Sequence, residues 1–159
     1  MSARGRDDSN AAEAAIGHWD GFQVMGRRDL PGIARSARVA RRWVLGILAG
    51  HIPAETMETL ELLVSEVVTN AVLHSDSARP DGLVTVRVDL GAGLVHIEVA
   101  DDGSTTTAPT IQKAGDDSLS GRGLSWVDFL SHAWGSDQDE KTGKRTVWFR
   151  LRCDGSANA

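Results

Sequence analysis

The stretch Glu61–His74 reads E-L-L-V-S-E-V-V-T-N-A-V-L-H, a run that mixes apolar and polar residues at helical spacing. This spacing predicts the second half of an amphipathic helix that begins near Ala54. Glu66 and Asn70 are four residues apart, so they lie on one face of that helix. A carboxylate and an amide oxygen placed together can activate a hydroxyl group and ligate Mg²⁺, which prefers oxygen ligands. An exposed helix face with an incidental Glu/Asn pair would read the same way.

A second polar feature comes directly after an apolar strand. Leu94–Ala100 reads L-V-H-I-E-V-A, and Asp101, Asp102 and Gly103 follow it. A carboxylate at a strand end can accept a hydrogen bond from an exocyclic amine such as that of adenine, and a nearby glycine lets a flat ring approach the backbone. A plain turn is the alternative, because Asp-Gly is among the commonest turn dipeptides.

A third feature, Gly121-Arg122-Gly123, closes a long polar loop and precedes a helix predicted from Gly123 to Leu130. Glycines at this point expose backbone N–H groups at the positive end of a helix dipole, and Arg122 adds positive charge for a phosphate. A flexible hinge with a glycine cap is the alternative. The three features together supply metal and base, purine, and phosphate, so they predict a nucleotide site with the long loop as its lid.

The remaining periodicities predict the architecture of the chain. The expected strands are His18–Met25, Leu83–Leu90, Leu94–Ala100, Ala133–Ser136 and Arg145–Arg152, and the first helix runs from Ile33 to Leu48 after an opening at Leu30-Pro31. Helices and strands do not alternate strictly. We therefore expect an α+β two-layer sandwich, with a mostly antiparallel mixed sheet and the helices on one face.

The composition is that of one globular domain. The chain has 159 residues, 41% of them hydrophobic, and a net charge of −5, which gives no general attraction for nucleic acid or an anionic membrane. The single cysteine, Cys153, cannot form an internal disulfide, and no stretch approaches the roughly 20 apolar residues of a membrane span. We expect a cytoplasmic domain at residues 16–152, between loose tails at 1–15 and 153–159.

On these residues the chain resembles the GHKL (Bergerat-fold) ATPases, which include the histidine kinases. The run from Glu61 is similar to the N box of that superfamily, D-D-G-S to its first glycine box, and S-G-R-G-L to its second. The short length, the arginine-rich first helix and the closing G-K-R-T-V-W-F-R-L resemble the RsbW-type anti-sigma-factor serine kinases. The resemblance extends from about Trp19 to Leu151.

The resemblance implies ATP and Mg²⁺ as ligands and assigns roles to single residues. Glu66 would be the general base and Asn70 the Mg²⁺ ligand. Asp101 would contact adenine, Gly103 would line the adenine pocket, and Thr146 on the last strand would support the adenine side.

The phosphates would be held by Gly121 and Gly123, with Arg122 beside them. One departure concerns the first glycine box, which usually reads D-x-G-x-G, because Thr105 stands at its second glycine position. This departure puts nucleotide affinity and lid geometry in question.

The resemblance implies a regulator that binds Mg-ATP, sequesters a sigma factor and phosphorylates a serine or threonine of an anti-sigma-factor antagonist. A partner-switch module with little or no kinase activity is the alternative, and the altered glycine box favours it. An ATPase of a larger machine, or an α+β domain without nucleotide, are further alternatives. The basic face of the first helix (Arg35, Arg38, Arg41, Arg42) is either solvated or docks an acidic partner. The sequence leaves a homodimer open.

Overall fold

The computed structural model describes residues 21–73, 82–103 and 119–153. In chain order its elements are β1 (Gln23–Pro31), α1 (Arg35–Leu48), α2 (Ala54–Leu73), β2 (Leu83–Gly91), β3 (Leu94–Asp101), α3 (Leu119–Leu130), β4 (Ala133–Gln138) and β5 (Arg145–Arg152). The tails predicted at either end and the loop before α3 lie outside the described residues. The exception is Cys153, whose N–H donates to the carbonyl of Gly93 at 2.9 Å.

The strands form one five-stranded sheet in the order β1-β2-β3-β5-β4. All four pairings are antiparallel. From the sequence we expect a mixed sheet, but the described strands contain no parallel pair. The prediction of an α+β fold with an antiparallel sheet is confirmed. Two-residue connections suit antiparallel neighbours, and Ala92 and Gly93 link β2 to β3 with φ of 54° and 73°.

The core lies between the sheet and the helices. Alternate residues of the three central strands face the helices, namely Val84, Val86 and Val88, then Val95, Ile97 and Val99, then Val147, Phe149 and Leu151. α2 packs against α1, α3 and all three of these strands. Each fully buried Val, Leu or Phe side chain contributes roughly 1.5–3 kcal/mol, so this layer supplies most of the stabilisation of the fold. None of the described helices is long and apolar enough to cross a membrane.

The first strand differs from the prediction. It covers Gln23–Pro31 instead of His18–Met25, so Leu30 and Pro31 end a strand and do not open the helix. β1 is an edge strand that pairs only with β2, and Leu30 is its one fully buried side chain. An edge strand tolerates charged residues and a terminal proline, since one side of it makes no ladder hydrogen bonds, and this hides it from a search for alternation.

The outer face of the sheet, opposite the helices, carries a cluster of polar side chains. This outer cluster consists of Arg87, Asp89, His96, Glu98 and Arg150. Arg87 donates to Asp89 at 2.6 Å and lies 3.2 Å from a Glu98 carboxylate oxygen. His96 is fully buried, its ring stacks on Trp148 with centroids 5.6 Å apart, and its Nδ1 accepts a hydrogen bond from Arg150 Nε at 3.1 Å. An Nδ1 that accepts belongs to a neutral imidazole.

The buried His96 makes stability depend on pH. Burial is the main cause that lowers the pKa of His96 below its ordinary value of 6.5, with Arg150 acting in the same direction. As the pH falls through 6.5 the unfolded chain takes up this proton before the native chain does. We therefore expect the free energy of unfolding to fall between pH 7.5 and 5.5, with His96 contributing at most about 1.4 kcal/mol per pH unit.

Urea denaturation at three pH values measures this slope. His96→Gln should reduce it, with a remainder from His132, whose pKa is lowered by its partial burial and by the nearby Arg152. His51→Gln, at an exposed position, is the control and should have the smaller effect. The same slope in His96→Gln as in the unmodified chain would show that His96 is not its source.

Candidate functional site

Glu66 and Asn70 lie one turn apart on α2. Glu66 is half-buried. Asn70 is only 6% exposed, and its neighbours Val67 and Ala71 belong to the apolar core. The carboxamide of Asn70 makes no hydrogen bond with any described residue. Its amide oxygen is of a type that can ligate a hydrated Mg²⁺ ion.

The direction of α2 brings Asn70 to one particular end of the sheet. Near the start of α2, Thr56 Oγ1 donates to the carbonyl of Arg152 at 3.1 Å, and Arg152 pairs with Leu94, the first residue of β3. Asn70 lies about 21 Å further along the helix at 1.5 Å per residue. Asp101 lies about 23 Å further along β3 at 3.3 Å per residue. Because α2 starts beside the first residue of β3 and packs against that strand, we infer that Asn70 and Asp101 lie towards the same end of the sheet.

Asp101 is held by three hydrogen bonds. Its Oδ2 accepts from Nε and Nη2 of Arg145 at 3.2 and 3.1 Å, and its Oδ1 accepts from the N–H of Gly103 at 2.7 Å. Both charged side chains are at least 95% buried, and the two residues are cross-strand partners. Burial raises the pKa of the Asp101 carboxyl, while the Arg145 guanidinium and the Gly103 N–H oppose that rise. The carboxylate is therefore oriented by its surroundings before any ligand binds.

Gly103 allows a close approach between two backbone segments of the protein. Its φ is +71°, and a Cβ placed on it would lie 1.6 Å from the carbonyl oxygen of Gly143 in the β4–β5 turn. Gln138 donates to that same oxygen at 3.2 Å. The end of β3 and the turn are thus in backbone contact, and only glycine fits between them. That Gly103 also lines an adenine pocket stays a prediction.

Gly121, Arg122 and Gly123 lie inside α3, which begins at Leu119, four residues before the predicted start. Glycine in a helix interior costs about 1 kcal/mol relative to alanine, which is why the sequence favours a start at Gly123. α3 packs against α2, and this contact outweighs the weak propensity. The first four N–H groups of any helix lack acceptors within it, so the backbone at 121–122 keeps donors for a phosphate. The side chain of Arg122 lies outside the described part.

Thr146 and Arg145 are neighbours on β5 and face opposite sides of the sheet. Thr146 pairs with Ala100, and strand alternation turns it to the outer face, whereas Arg145, Val147 and Phe149 turn to the helices. The residue that contacts Asp101 is therefore Arg145. Counting back in twos from the apolar Phe149 would have identified it.

Two further positions named from the sequence, His74 and Thr105, lie outside the described residues. Within the described ranges no group of three or more His, Cys, Asp or Glu is placed to hold a metal ion. A magnesium ion at Asn70 would therefore depend on phosphate and water oxygens for most of its ligands, as Mg²⁺ commonly does.

Comparisons with known proteins give one family match and several relatives that match part of the chain. The family described as histidine kinase-like ATPase domain matches residues 30–151. The chain is 35% identical over 60 residues to the anti-sigma F factor of Geobacillus stearothermophilus, covering 38% of this chain and 40% of that protein. It is 31% identical over 72 residues to the anti-sigma F factor of Geobacillus sp. (strain WCH70), covering 45% and 49%.

A blue-light-activated histidine kinase 2 of Erythrobacter litoralis is 43% identical over 53 residues, which cover 33% of this chain and 15% of that protein. In each of these three matches the chain spans less than half of the length of the relative.

The contact between Gly103 and Gly143 can be tested with a pair of alanine substitutions. Gly103→Ala should lower the free energy of unfolding by about 2 kcal/mol or more, because it adds a left-handed strain and a backbone clash. Gly46→Ala is the matched control, since a Cβ there meets nothing within 4 Å. That change in α1 should raise the free energy by about 0.5–1 kcal/mol. Urea denaturation measures both, and a Gly103→Ala protein of undiminished stability would contradict the contact.

Proposed function

The chain belongs to the histidine kinase-like ATPase domain family, and from this premise we propose that it is a cytoplasmic, Mg-ATP-dependent anti-sigma factor. In this proposal it phosphorylates a serine or threonine of an anti-sigma-factor antagonist. Membership of an ATPase family implies ATP binding. The observation that carries the proposal is that α2 and β3 start beside each other, at Thr56 and Leu94, and are in contact. From this start α2 leads to Asn70 and β3 leads to Asp101.

The residues at this end fit a nucleoside triphosphate. The Asp101 carboxylate is a buried acceptor for the exocyclic amine of adenine. The amide oxygen of Asn70, a residue only 6% exposed, would hold a magnesium ion, which would supply positive charge beside the phosphates. The free N–H groups in the first turn of α3 fit the phosphates themselves. Base, metal and phosphate therefore each have a matching group on a separate element.

Glu66 is the general base in this proposal. It is half-buried and lies one turn before Asn70 on the same face of α2, so it faces the same ligand. Its carboxylate would accept the proton of the acceptor hydroxyl as that oxygen attacks the γ-phosphorus. The bond between the γ-phosphorus and the β–γ bridging oxygen breaks in the same step, and ADP leaves. Bound magnesium supplies charge neutralisation at the phosphates. Positioning and electrostatics provide most of the rate in phosphoryl transfer, so the protein needs few reactive groups.

The partners in this proposal are a sigma factor and its antagonist, as the names of the anti-sigma F relatives suggest. The chain has a net charge of −5, yet α1 exposes Arg35, Arg38 and Arg42 along one side. A concentrated basic face on an acidic protein favours an acidic partner. Phosphorylation of the antagonist adds about two negative charges, which gives a physical means of exchanging partners. Neither nucleic acid nor a membrane is part of this proposal, and a homodimer remains compatible with it.

A second candidate function is an ATP-holding partner-switch module without kinase activity. It is favoured by Thr105, which replaces the second glycine of the first glycine box. Both candidates require nucleotide binding, and they differ only in whether the γ-phosphate is transferred.

Thermal unfolding with and without Mg-ATP tests what the candidates share. At a concentration 100 times the dissociation constant, Mg-ATP should stabilise the chain by about 2.7 kcal/mol, which raises the melting temperature by roughly 5–10 °C for a chain of this size. Asn70→Ala should remove the part of this rise that requires magnesium. If Mg-ATP leaves the melting temperature unchanged, both candidate functions are wrong.

Transfer of labelled γ-phosphate to the antagonist separates the two. Glu66→Gln should keep the rise in melting temperature but reduce transfer by about 10²–10⁴-fold. Glu61→Gln, the same change at an exposed position of α2, should leave transfer intact. Binding without transfer in the unmodified chain would establish the second candidate instead.

A further inference from the structure

We infer that Arg145 is a positioning residue for base recognition. Its guanidinium donates to Oδ2 of Asp101 and keeps that carboxylate ionised. Oδ1 is left to accept a hydrogen bond from the 6-amino group of a purine. The inference rests on the proposed nucleotide site and adds to it the residue that sets base preference. Sequence reasoning had given the supporting role to Thr146, which the register turns away.

The hydrogen bonds of Asp101 leave one acceptor position. A carboxylate has about four lone-pair sites. Arg145 occupies both sites on Oδ2, with Nε at 3.2 Å and Nη2 at 3.1 Å. The N–H of Gly103 occupies one site on Oδ1, at 2.7 Å. The Asp101 carboxylate accepts no other hydrogen bond from the described part of the chain, so its remaining lone-pair site is on Oδ1.

The charge state of Asp101 depends on its arginine. A buried carboxylate without a cation tends to protonate, and burial already raises the pKa of this one. Among the described residues the charged groups that act on it are Arg145, on the neighbouring β5, and Asp102, the next residue in the chain. Asp102 opposes ionisation and is itself held by the N–H of Leu83 on β2. Neither of these two charges lies on α2, which packs over β3.

The protonation state decides which purine is favoured. An ionised carboxylate accepts from the 6-amino group of adenine and repels the 6-oxo group of hypoxanthine. A protonated carboxyl can donate to that 6-oxo group and loses one acceptor site. Arg145 therefore favours 6-amino purine nucleotides over 6-oxo ones, because the positively charged guanidinium keeps the Asp101 carboxylate unprotonated.

The test compares the binding of ATP and of inosine triphosphate by calorimetry at pH 6, 7 and 8. The unmodified chain should prefer ATP by a ratio that is constant over this range. In Arg145→Met we expect the ratio to narrow by about tenfold or more at pH 6 relative to pH 8, because Asp101 protonates. Arg150→Met is the matched control, since it removes a half-buried arginine from the outer face of the same strand. Its ratio should stay constant.

Arg145→Lys and Asp101→Asn keep the test open if Arg145→Met does not fold. Lysine retains the cation, so the ratio should remain independent of pH even if both nucleotides bind more weakly. Asparagine cannot ionise, so the preference for ATP should be lost equally at every pH. Equal weakening of both nucleotides at all pH values in Arg145→Met, or a pH-dependent ratio in Arg145→Lys, would overturn the inference. If the unmodified chain binds neither nucleotide, the proposed function itself fails.

Discussion

Val99 of β3 lies opposite Val147 of β5, and this antiparallel register sets the arrangement of the site. This register turns both valines into the core. Two residues further towards the end of β3 and two residues back along β5, it pairs Asp101 with Arg145 on the same side of the sheet. A slip of one residue would turn every side chain of one strand to the other face and expose apolar residues to water. The same hydrophobic burial that holds the sheet together therefore also holds an ion pair where a nucleobase would bind.

The parts of the fold that obey a strict period could be predicted from the sequence. Leu83–Leu90, Leu94–Ala100 and Arg145–Arg152 match β2, β3 and β5 to within one residue at each end, because buried central strands alternate or run apolar between clear turns. β1 could not be placed in this way. An edge strand with a single buried residue carries too little pattern, and its charged middle resembles a loop.

The site was predictable to the extent that one helix or one strand end determines it. Glu66 and Asn70 share a face because they are four residues apart in a helix. The start of α2 at Ala54 follows from Pro53, which separates it from α1. Arg145 was missed because its partner Asp101 is 44 residues away in sequence and only the sheet brings them together. The role of Gly103 in contacting Gly143 was hidden for the same reason, since no local signal reports an approach between two distant backbones.

The outer cluster limits how this protein can drift in evolution. Arg87 contacts Asp89 and Glu98 with little exposure to water, so the loss of one carboxylate removes part of the negative charge that balances the buried guanidinium. A neutral exchange at these positions must change the partners together, whereas the valines on the opposite face tolerate single conservative replacements. Related sequences should therefore vary here in blocks, and a family tree built on these positions would record a few joint events instead of many independent ones.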